Sequence, residues 1–340
     1  MDDLEVALDT INSYSLALAG VTEDTVETLK LYWQSAGFDL STDTLLILTP
    51  QGQVAGYTEF WERGEPYIRQ IGWSCVHPDH WGRGLGKVLL EWSIERGRRN
   101  VWKAPEGTQV VMQHFSWSTN QAAARLFTTH GFQYVRSNYI MRIDFNGPPQ
   151  APALPDGITI RPIAGQATSG VDEERAALFA AHEAFKDHWG NTSQPFEDYY
   201  QRYKHQIDQD PHHDPSLWFI ALDGDIANGV DAIAGVSLCS QQTGEDPDKA
   251  WVGTLGVRRP WRKRGIGLAL LQHSFCEFYR RGKPRAGLGV DASSLTGAVR
   301  LYERAGMRID RQLDIYELEL RPGKEIMKRS IEETAKIEEK

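Results

Sequence analysis

The sequence predicts an α/β chain of two tandem domains in which strands and helices alternate. A short motif carries this prediction because it occurs twice. Residues 76–86 align without a gap onto residues 257–267, at an offset of 181 positions. Each copy follows an apolar run of strand character and precedes a run with helical periodicity. The Pro-rich run 147–155 lies between the copies and suits neither a strand nor a helix.

These features set the expected domain boundaries. We predict an N-terminal domain at 1–146, a linker at 147–156, a C-terminal domain at 157–321 and a charged tail at 322–340. The C-terminal domain opens with a strand before its first helix, whereas the N-terminal domain opens directly on a helix. We therefore expect the N-terminal domain to lack one strand.

Apolar spacing predicts the elements of the N-terminal domain in order. Apolar residues at helical spacing indicate a first helix that ends at Gly20, and Asp24-x-x-Glu27 has the form of a capping box for a second. Two strand-like runs, 132–135 and 139–143, are predicted to close the domain as a hairpin. Alternating or apolar runs predict strands at 45–48, 54–61, 71–76 and 110–115, and helical periodicity predicts helices at 84–99 and 120–130.

The C-terminal domain repeats this order after its extra strand. Strands are predicted at 158–161, 218–222, 233–238, 252–257, 286–290 and 315–320, and helices at 176–182, 196–203, 267–280 and 298–305. The tail is dense in Lys and Glu, which is typical of a solvated helix or a disordered segment.

Composition narrows the class of protein. The 340 residues are 41% hydrophobic and 24% charged, as in an ordinary globular protein. The net charge of −9 argues against a general nucleic-acid or membrane-surface binder. Three separated cysteines form neither a disulfide framework nor a zinc pattern, and His212-His213 lacks partners at ligand spacing, so we expect no metal. We expect a reduced, cytoplasmic protein, because neither a signal peptide nor a membrane-length apolar run is visible.

The repeated motif has the chemistry of an anion site. A strand, a basic turn and a helix that begins at glycine direct backbone N–H groups and the positive end of a helix dipole to one point. Gly265 and Gly267 let the backbone approach a pyrophosphate, and Arg262, Lys263 and Arg264 add positive charge.

Arg262-x-x-Gly265-x-Gly267 resembles the acyl-CoA-binding signature of the GNAT superfamily of N-acetyltransferases, and Trp81 to Gly86 resembles it in the first copy. The resemblance implies two α+β domains, each a mixed, mostly antiparallel, splayed sheet flanked by helices. It also implies acetyl-CoA as co-substrate, bound in the gap of the sheet. The residues it assigns to acyl-CoA are Leu255, Gly256, Val257, Arg262, Lys263, Arg264, Gly265, Ile266 and Gly267, and in the first domain Cys75, Val76, Arg83, Gly84, Leu85 and Gly86.

The resemblance also implies catalytic residues. Members of the family often use a Tyr to protonate the leaving thiolate, and Tyr302 stands in that place, whereas the first domain has Phe127. The C-terminal domain is thus the expected catalytic one, although Leu295 replaces an Asn that the first domain keeps as Asn120. Tyr302 also lies on an apolar helix face, so a core role stays open.

The general base is less defined. Asp248, with Glu245 close by, is the nearest carboxylate upstream of the second Gly turn, although a plain loop position explains both. His188 lies where the family binds its acceptor, and with Glu183 and Asp187 it could hold or deprotonate an amine. A capped helix end closed by Trp189 explains the same segment.

Two functions follow. The first is an acyltransferase that moves an acetyl group from acetyl-CoA to a primary amine of a small molecule in a ternary complex. The layout, two domains of which the second matches the family motifs better, is similar to that of the mycothiol synthase family. The second is a non-catalytic acyl-CoA sensor or scaffold. In either case we expect no nucleic-acid or membrane partner and a monomer or homodimer.

Overall fold

The computed structural model describes residues 3–22, 24–35, 37–62, 64–164, 170–190, 194–210, 212–294 and 297–327. Leu295 and residues 328–340 of the predicted tail lie outside these ranges. The chain forms two compact units. Unit 1 is Met1–Asn138 with Arg311–Ile326, and unit 2 is Tyr139–Asp310 with Met327–Lys340.

Unit 1 begins with helices and continues as a sheet. Its helices are α1 Asp3–Ala19, α2 Val26–Trp33, α3 Leu40–Asp43, α4 Leu85–Arg98 and α5 Gln121–Thr129. Its strands are β1 Thr44–Leu48, β2 Val54–Glu62, β3 Arg69–Val76, β4 Val110–Trp117 and the first half of β5, Gln133–Asp144.

Unit 2 repeats this succession with one additional strand at its start. Its helices are α6 Glu173–Ala184, α7 Phe196–Gln209, α8 Ile266–Arg280 and α9 Ala298–Arg304. Its strands are β6 Ile158–Pro162, β7 Trp218–Asp223, β8 Ile233–Ser240, β9 Lys249–Val257 and β10 Arg285–Asp291. The last described strand is β11 Arg308–Arg321, which begins in unit 2 and continues in unit 1.

Both units contain the mixed, mostly antiparallel sheet that the sequence predicts. In unit 1 the strand order is β1-β2-β3-β4-β11, in which only β3 and β4 run parallel. In unit 2 the order is β6-β7-β8-β9-β10 followed by the second half of β5, and β9 and β10 form the parallel pair. Helices cover both faces in unit 2, where α8 and α9 pack on one face and α6 and α7 on the other.

The end of each repeat differs from prediction. The hairpin predicted at 132–143 is wrong, because β5 is one continuous strand that passes from unit 1 into unit 2 after Asn138. No glycine or proline interrupts it, and the buried Ser137 hydroxyl donates to Asp314 Oδ1 at 2.7 Å, which holds the chain extended. Most of β11 correspondingly belongs to unit 1.

The start of α2 also differs from the predicted capping box. Thr25, not Asp24, is the N-cap residue, and its hydroxyl accepts a hydrogen bond from the Thr28 N–H at 3.2 Å. The backbone of Asp24 instead bonds to the Asn12 side chain in both directions, at 2.9 and 3.0 Å. The Asp24 carboxylate is therefore not used as a cap.

We expect a chain that ends after Asp310 to lose the stability of unit 1. β11 pairs with β4 from Leu313 to Arg321 and contributes buried Tyr316 to the unit 1 core, so its removal exposes a central strand edge. Hydrogen exchange of β4 amides and the melting temperature test this expectation. A chain that ends after Met327 is the control, and equal protection of β4 in both would contradict the assignment of β11 to unit 1.

Candidate functional site

The sheet of unit 2 opens at one point. β9 pairs with β10 only at Lys249, Ala250 and Trp251, and β10 then continues to Asp291 while β9 continues to Val257. Among the described residues, Val252–Val257 pair with β8 but with no strand on the β10 side. Unpaired peptide groups therefore face the gap, and they are suited to an extended polar ligand.

The turn after β9 closes one end of this gap. Gly265 is the N-cap of α8 with φ 84° and ψ −4°, a left-handed conformation that favours glycine, and no side chain caps the helix. The first N–H groups of α8 thus remain available to an anion. A Cβ at Gly267 would lie 3.2 Å from Leu301 Cδ1 and 3.5 Å from Val257 Cγ2, so α8 packs closely on α9 and β9. Ile266 is buried and anchors the helix start.

The basic side chains of the turn divide into two groups. Arg262 braces the turn: its Nε donates to Val257 O at 3.1 Å, Nη1 to Asp187 Oδ2 at 2.6 Å and Nη2 to Ala184 O at 3.0 Å. Arg264 donates to Asp223 at 3.2 Å. Exposed Lys263 has no ion-pair partner within the described ranges, so it is the cation of the three left for a ligand.

Asp187 joins the loop after α6 to this turn. Its buried carboxylate accepts hydrogen bonds from Arg259 Nε at 2.9 Å and from Arg262. These bonds, Arg259 first, lower the pKa of Asp187 to about 2. Both oxygens are therefore occupied by arginines, and Glu183 pairs with Lys186 at 2.5 Å. Neither carboxylate is placed as the predicted amine holder.

His188 lies in the loop that follows α6. Its ring stacks on Phe185 with centroids 4.1 Å apart. Phe185 in turn lies 3.2 Å from where a Cβ of Gly256 would stand, and Ala184 is closer still. Gly256 is thus required for the close approach of the α6 end to β9. The Phe185 ring therefore lies between His188 and β9, the strand that borders the gap.

Tyr302 lies on α9 inside the apolar cluster that also contains Leu255, Val257 and Leu301. Its side chain is 7% exposed, and burial raises its pKa to about 12. Its hydroxyl has no hydrogen-bond partner in the part of the chain that the structure describes. The hydroxyl thus stays protonated at neutral pH and keeps its proton available for donation.

Asp248 stands apart from this arrangement. It is exposed in the turn before β9, at the end of the strand opposite the Gly turn. Nine residues of strand at about 3.3 Å each separate it from Val257, roughly 30 Å. Glu245 forms an ion pair with buried Lys249. The structure does not bring either carboxylate to the Gly turn.

Unit 1 contains the same arrangement in altered form. β3 pairs with β4 up to Gly72 and His114 and then separates from it, and Cys75 and Val76 lie beyond this point. Gly84 caps α4, which begins at Leu85, with φ 80°, and a Cβ at Gly86 would lie 3.5 Å from Leu126. Trp81 Nε1 donates to Val76 O at 2.7 Å and so satisfies the carbonyl that corresponds to the one Arg262 satisfies.

Unit 1 keeps the chemistry of its counterpart at one of two positions. Arg83 stands where unit 2 has Arg264; it is exposed and donates to Asp79 O at 3.2 Å. Phe127 is buried among His114, Phe132 and Tyr316, with ring centroids 5.1 to 5.7 Å apart. Unit 1 therefore retains a helix that begins at a left-handed glycine but has no hydroxyl at the position of Tyr302.

A cavity in unit 1 was not anticipated from the sequence. It has a volume of about 240 Å³ and is lined by Ile11, Asp24, Leu29, Tyr32, Glu59 and Trp73. The sequence carries one signal for it, because Glu59 is a carboxylate between the buried residues Thr58 and Phe60 of β2. The second carboxylate is Asp24, which the sequence predicts as a helix cap.

Comparisons with known proteins agree with this geometry. The model of the acetyltransferase (GNAT) family matches residues 13–132 and 181–307, once in each half of the chain. A mycothiol acetyltransferase of Thermobispora bispora is 31% identical over 261 residues, covering 77% of this chain and 79% of that one. One from Nocardiopsis dassonvillei is 29% identical, covering 75% and 76%.

Solved structures of GNAT proteins are also similar to this chain. A GCN5-related N-acetyltransferase from Sphaerobacter thermophilus has a TM-score of 0.78 and 34% identity, covering 95% of this chain and 94% of its own. A tandem GNAT protein from the clavulanic acid biosynthesis pathway has a TM-score of 0.62 at 16% identity, which supports the fold alone. Within the described residues, no helix is both long and apolar enough to cross a membrane.

We expect Asp187→Ala to lower the free energy of unfolding by about 1–3 kcal/mol, because two arginines lose their shared acceptor. Asp223→Ala, which removes an exposed carboxylate that accepts from Trp261 and Arg264, is the control and should have a much smaller effect. Chemical denaturation measures both. Equal losses would contradict a bracing role for Asp187.

The low pKa of Asp187 predicts a pH dependence. Because its folded pKa of about 2 lies below the ordinary aspartate pKa of 3.8, its contribution is present above pH 4 and is lost as pH falls toward 2. The difference in stability between wild type and Asp187→Ala should therefore shrink in this range. Denaturation at pH 6, 4 and 2.5 tests it, and a constant difference would contradict the ion pair.

Proposed function

Since this chain belongs to the GNAT family of acetyltransferases, we propose that it transfers an acetyl group from acetyl-CoA to a primary amine of a small molecule, with the chemistry in unit 2. The observation that carries the assignment to unit 2 is Tyr302. It keeps an ionisable hydroxyl next to the strand gap, where unit 1 has the hydrocarbon ring of Phe127.

The donor would lie in the gap beyond Trp251. The uncapped N–H groups at Gly265, Ile266 and Gly267 would hold its pyrophosphate, with Lys263 beside them. The free peptide groups of Leu255, Gly256 and Val257 would pair with the pantetheine arm, as an added strand does. Arg262 would contribute indirectly, because its three hydrogen bonds fix the turn.

The chemical step requires a neutral amine and a protonated leaving group. The amine nitrogen attacks the thioester carbon, the C–S bond breaks, and the Tyr302 hydroxyl donates its proton to the departing thiolate. A strand N–H would stabilise the negative charge that develops on the carbonyl oxygen. We propose His188 as the group that accepts the amine proton, because its ring stacks over Phe185 at β9. Asp248 is not proposed in this role, because it lies at the far end of the strand.

We expect Tyr302→Phe to lower turnover at saturating acetyl-CoA by about 10²-fold while acetyl-CoA affinity is unchanged, because only proton donation is lost. Thiol release with a panel of small amines measures turnover. Tyr279→Phe, at a half-exposed tyrosine of α8, is the control. An unchanged rate in Tyr302→Phe would make this residue a core residue only.

The two Gly turns allow the donor sites to be tested separately. Gly265→Glu should abolish acetyl-CoA binding in unit 2, because it strains a left-handed position and places a carboxylate where the pyrophosphate would bind. Gly84→Glu is the matched change in unit 1. Calorimetric titration with acetyl-CoA gives the number of sites, and turnover that survives Gly265→Glu but not Gly84→Glu would contradict the assignment to unit 2.

A further inference from the structure

The cavity of unit 1 joins two carboxylates to an aromatic wall. Asp24 and Glu59 face it from the segment before α2 and from β2, and Tyr32 and Trp73 contribute rings. Within the described ranges, neither carboxylate has a cationic partner. A concave site with unpaired negative charge and aromatic faces is suited to an organic cation.

A hydrogen-bonded chain orients one of the carboxylates. The Trp33 indole donates to the Tyr57 hydroxyl at 3.0 Å, and this hydroxyl donates to Glu59 Oε2 at 2.8 Å. Trp61 is a further partner of Glu59. Because Tyr57 and Trp61 both donate to it, the Glu59 carboxylate is held in place as a hydrogen-bond acceptor at the cavity wall.

Burial makes these carboxylates costly to the fold. It raises the pKa of Asp24 to about 6 and that of Glu59 to about 7, the latter with a smaller contribution from Asp24. Tyr32 is the other titratable residue of the lining, and Tyr57 contacts Glu59 from beside it, while α1 contributes Ile11 and β3 contributes Trp73. A bound cation would offset this cost by stabilising the ionised forms.

The other repeat shows that the fold does not need this charge. Glu59 pairs with Trp73, and at the same register of unit 2 Leu238 pairs with Thr254. Leu238 is buried in the apolar cluster beneath α6 and α7. The acidic cavity is therefore specific to unit 1 and is not a structural requirement of the repeat.

The cavity also lies beside the opening of the unit 1 sheet. Trp73 directly follows Gly72, the last β3 residue that pairs with β4. It lines a second cavity of about 190 Å³, together with Tyr14, Phe115, Ser116, Trp117 and Leu313. An apolar body could thus extend from the acidic cavity toward the strand gap.

We infer that unit 1 binds a protonated organic amine between Asp24 and Glu59, with the carbon chain or ring of the amine against Trp73 and Tyr32. This site is separate from the chemistry proposed for unit 2, and its occupancy does not depend on acetyl transfer. The same cavity would reject a neutral alcohol of equal shape, because the carboxylates would stay unpaired.

Calorimetric titration of the full chain at pH 8 tests the inference, with 2-phenylethylamine and 1,4-diaminobutane as probes and 2-phenylethanol as the neutral control. We expect at least one amine to bind, with an affinity at least tenfold above that of the alcohol. Glu59→Gln and Asp24→Asn should each weaken amine binding tenfold or more. Glu27→Gln removes an exposed carboxylate at the start of α2 and should leave binding unchanged.

Two further readouts separate the outcomes. Amine affinity should rise from pH 5 to pH 8 as the carboxylates ionise, and Glu59→Gln should raise the melting temperature at pH 8 because it removes an unpaired charge. Tyr302→Phe should leave amine binding in unit 1 intact. Binding that survives both Glu59→Gln and Asp24→Asn, or absence of binding by both amines, would overturn the inference without affecting the proposal for unit 2.

Discussion

The early separation of two parallel strands is the constraint on which the rest of this structure depends. In each unit the pairing stops after three or four residues, at Trp251 with Gly287 and at Gly72 with His114. Beyond these points the peptide groups of β9 and β3 have one free side, and a helix that begins at a left-handed glycine lies at the end of each strand. A long, polar ligand that carries a pyrophosphate can satisfy both features at once.

The two repeats show which parts of this arrangement are structural. The carbonyl of the last strand residue is bonded in both units, by Arg262 in one and by the indole of Trp81 in the other. The bond itself is therefore a requirement of the turn, whereas the second role of Arg262, its ion pair with Asp187, belongs to unit 2. The same comparison shows two differences in residue type. Unit 2 has Tyr302 where unit 1 has Phe127, and unit 2 has Leu238 where unit 1 has Glu59. Each unit thus has one polar side chain at a position where the other has an apolar one.

Much of this could be predicted from the sequence because the signals are local. The glycines of the turn, the helix after it and the position of Tyr302 follow from spacing and apolar periodicity. The interaction partners of the charged residues could not be predicted, since these partners lie in distant segments of the chain. Asp187 lies 75 residues from Arg262, and Asp24 and Glu59 meet only when α1, α2, β2 and β3 enclose a cavity. Asp248 shows that residues close in sequence need not be close in space. It lies only nine residues before Val257, but the extended strand β9 separates it from the Gly turn.

The sequence by itself determined the duplication, the family, the alternation of strands and helices and the two glycine turns, because short-range patterns of glycine and apolar residues specify each of them. Only the tertiary structure decided which strand completes each sheet, since β5 and β11 contain no turn signal and their partners lie far away in the chain. It also decided which carboxylates are neutralised by arginine and which remain unpaired. Pairing, burial and the resulting pKa values depend on which side chains the folded chain brings within a few ångströms of each other.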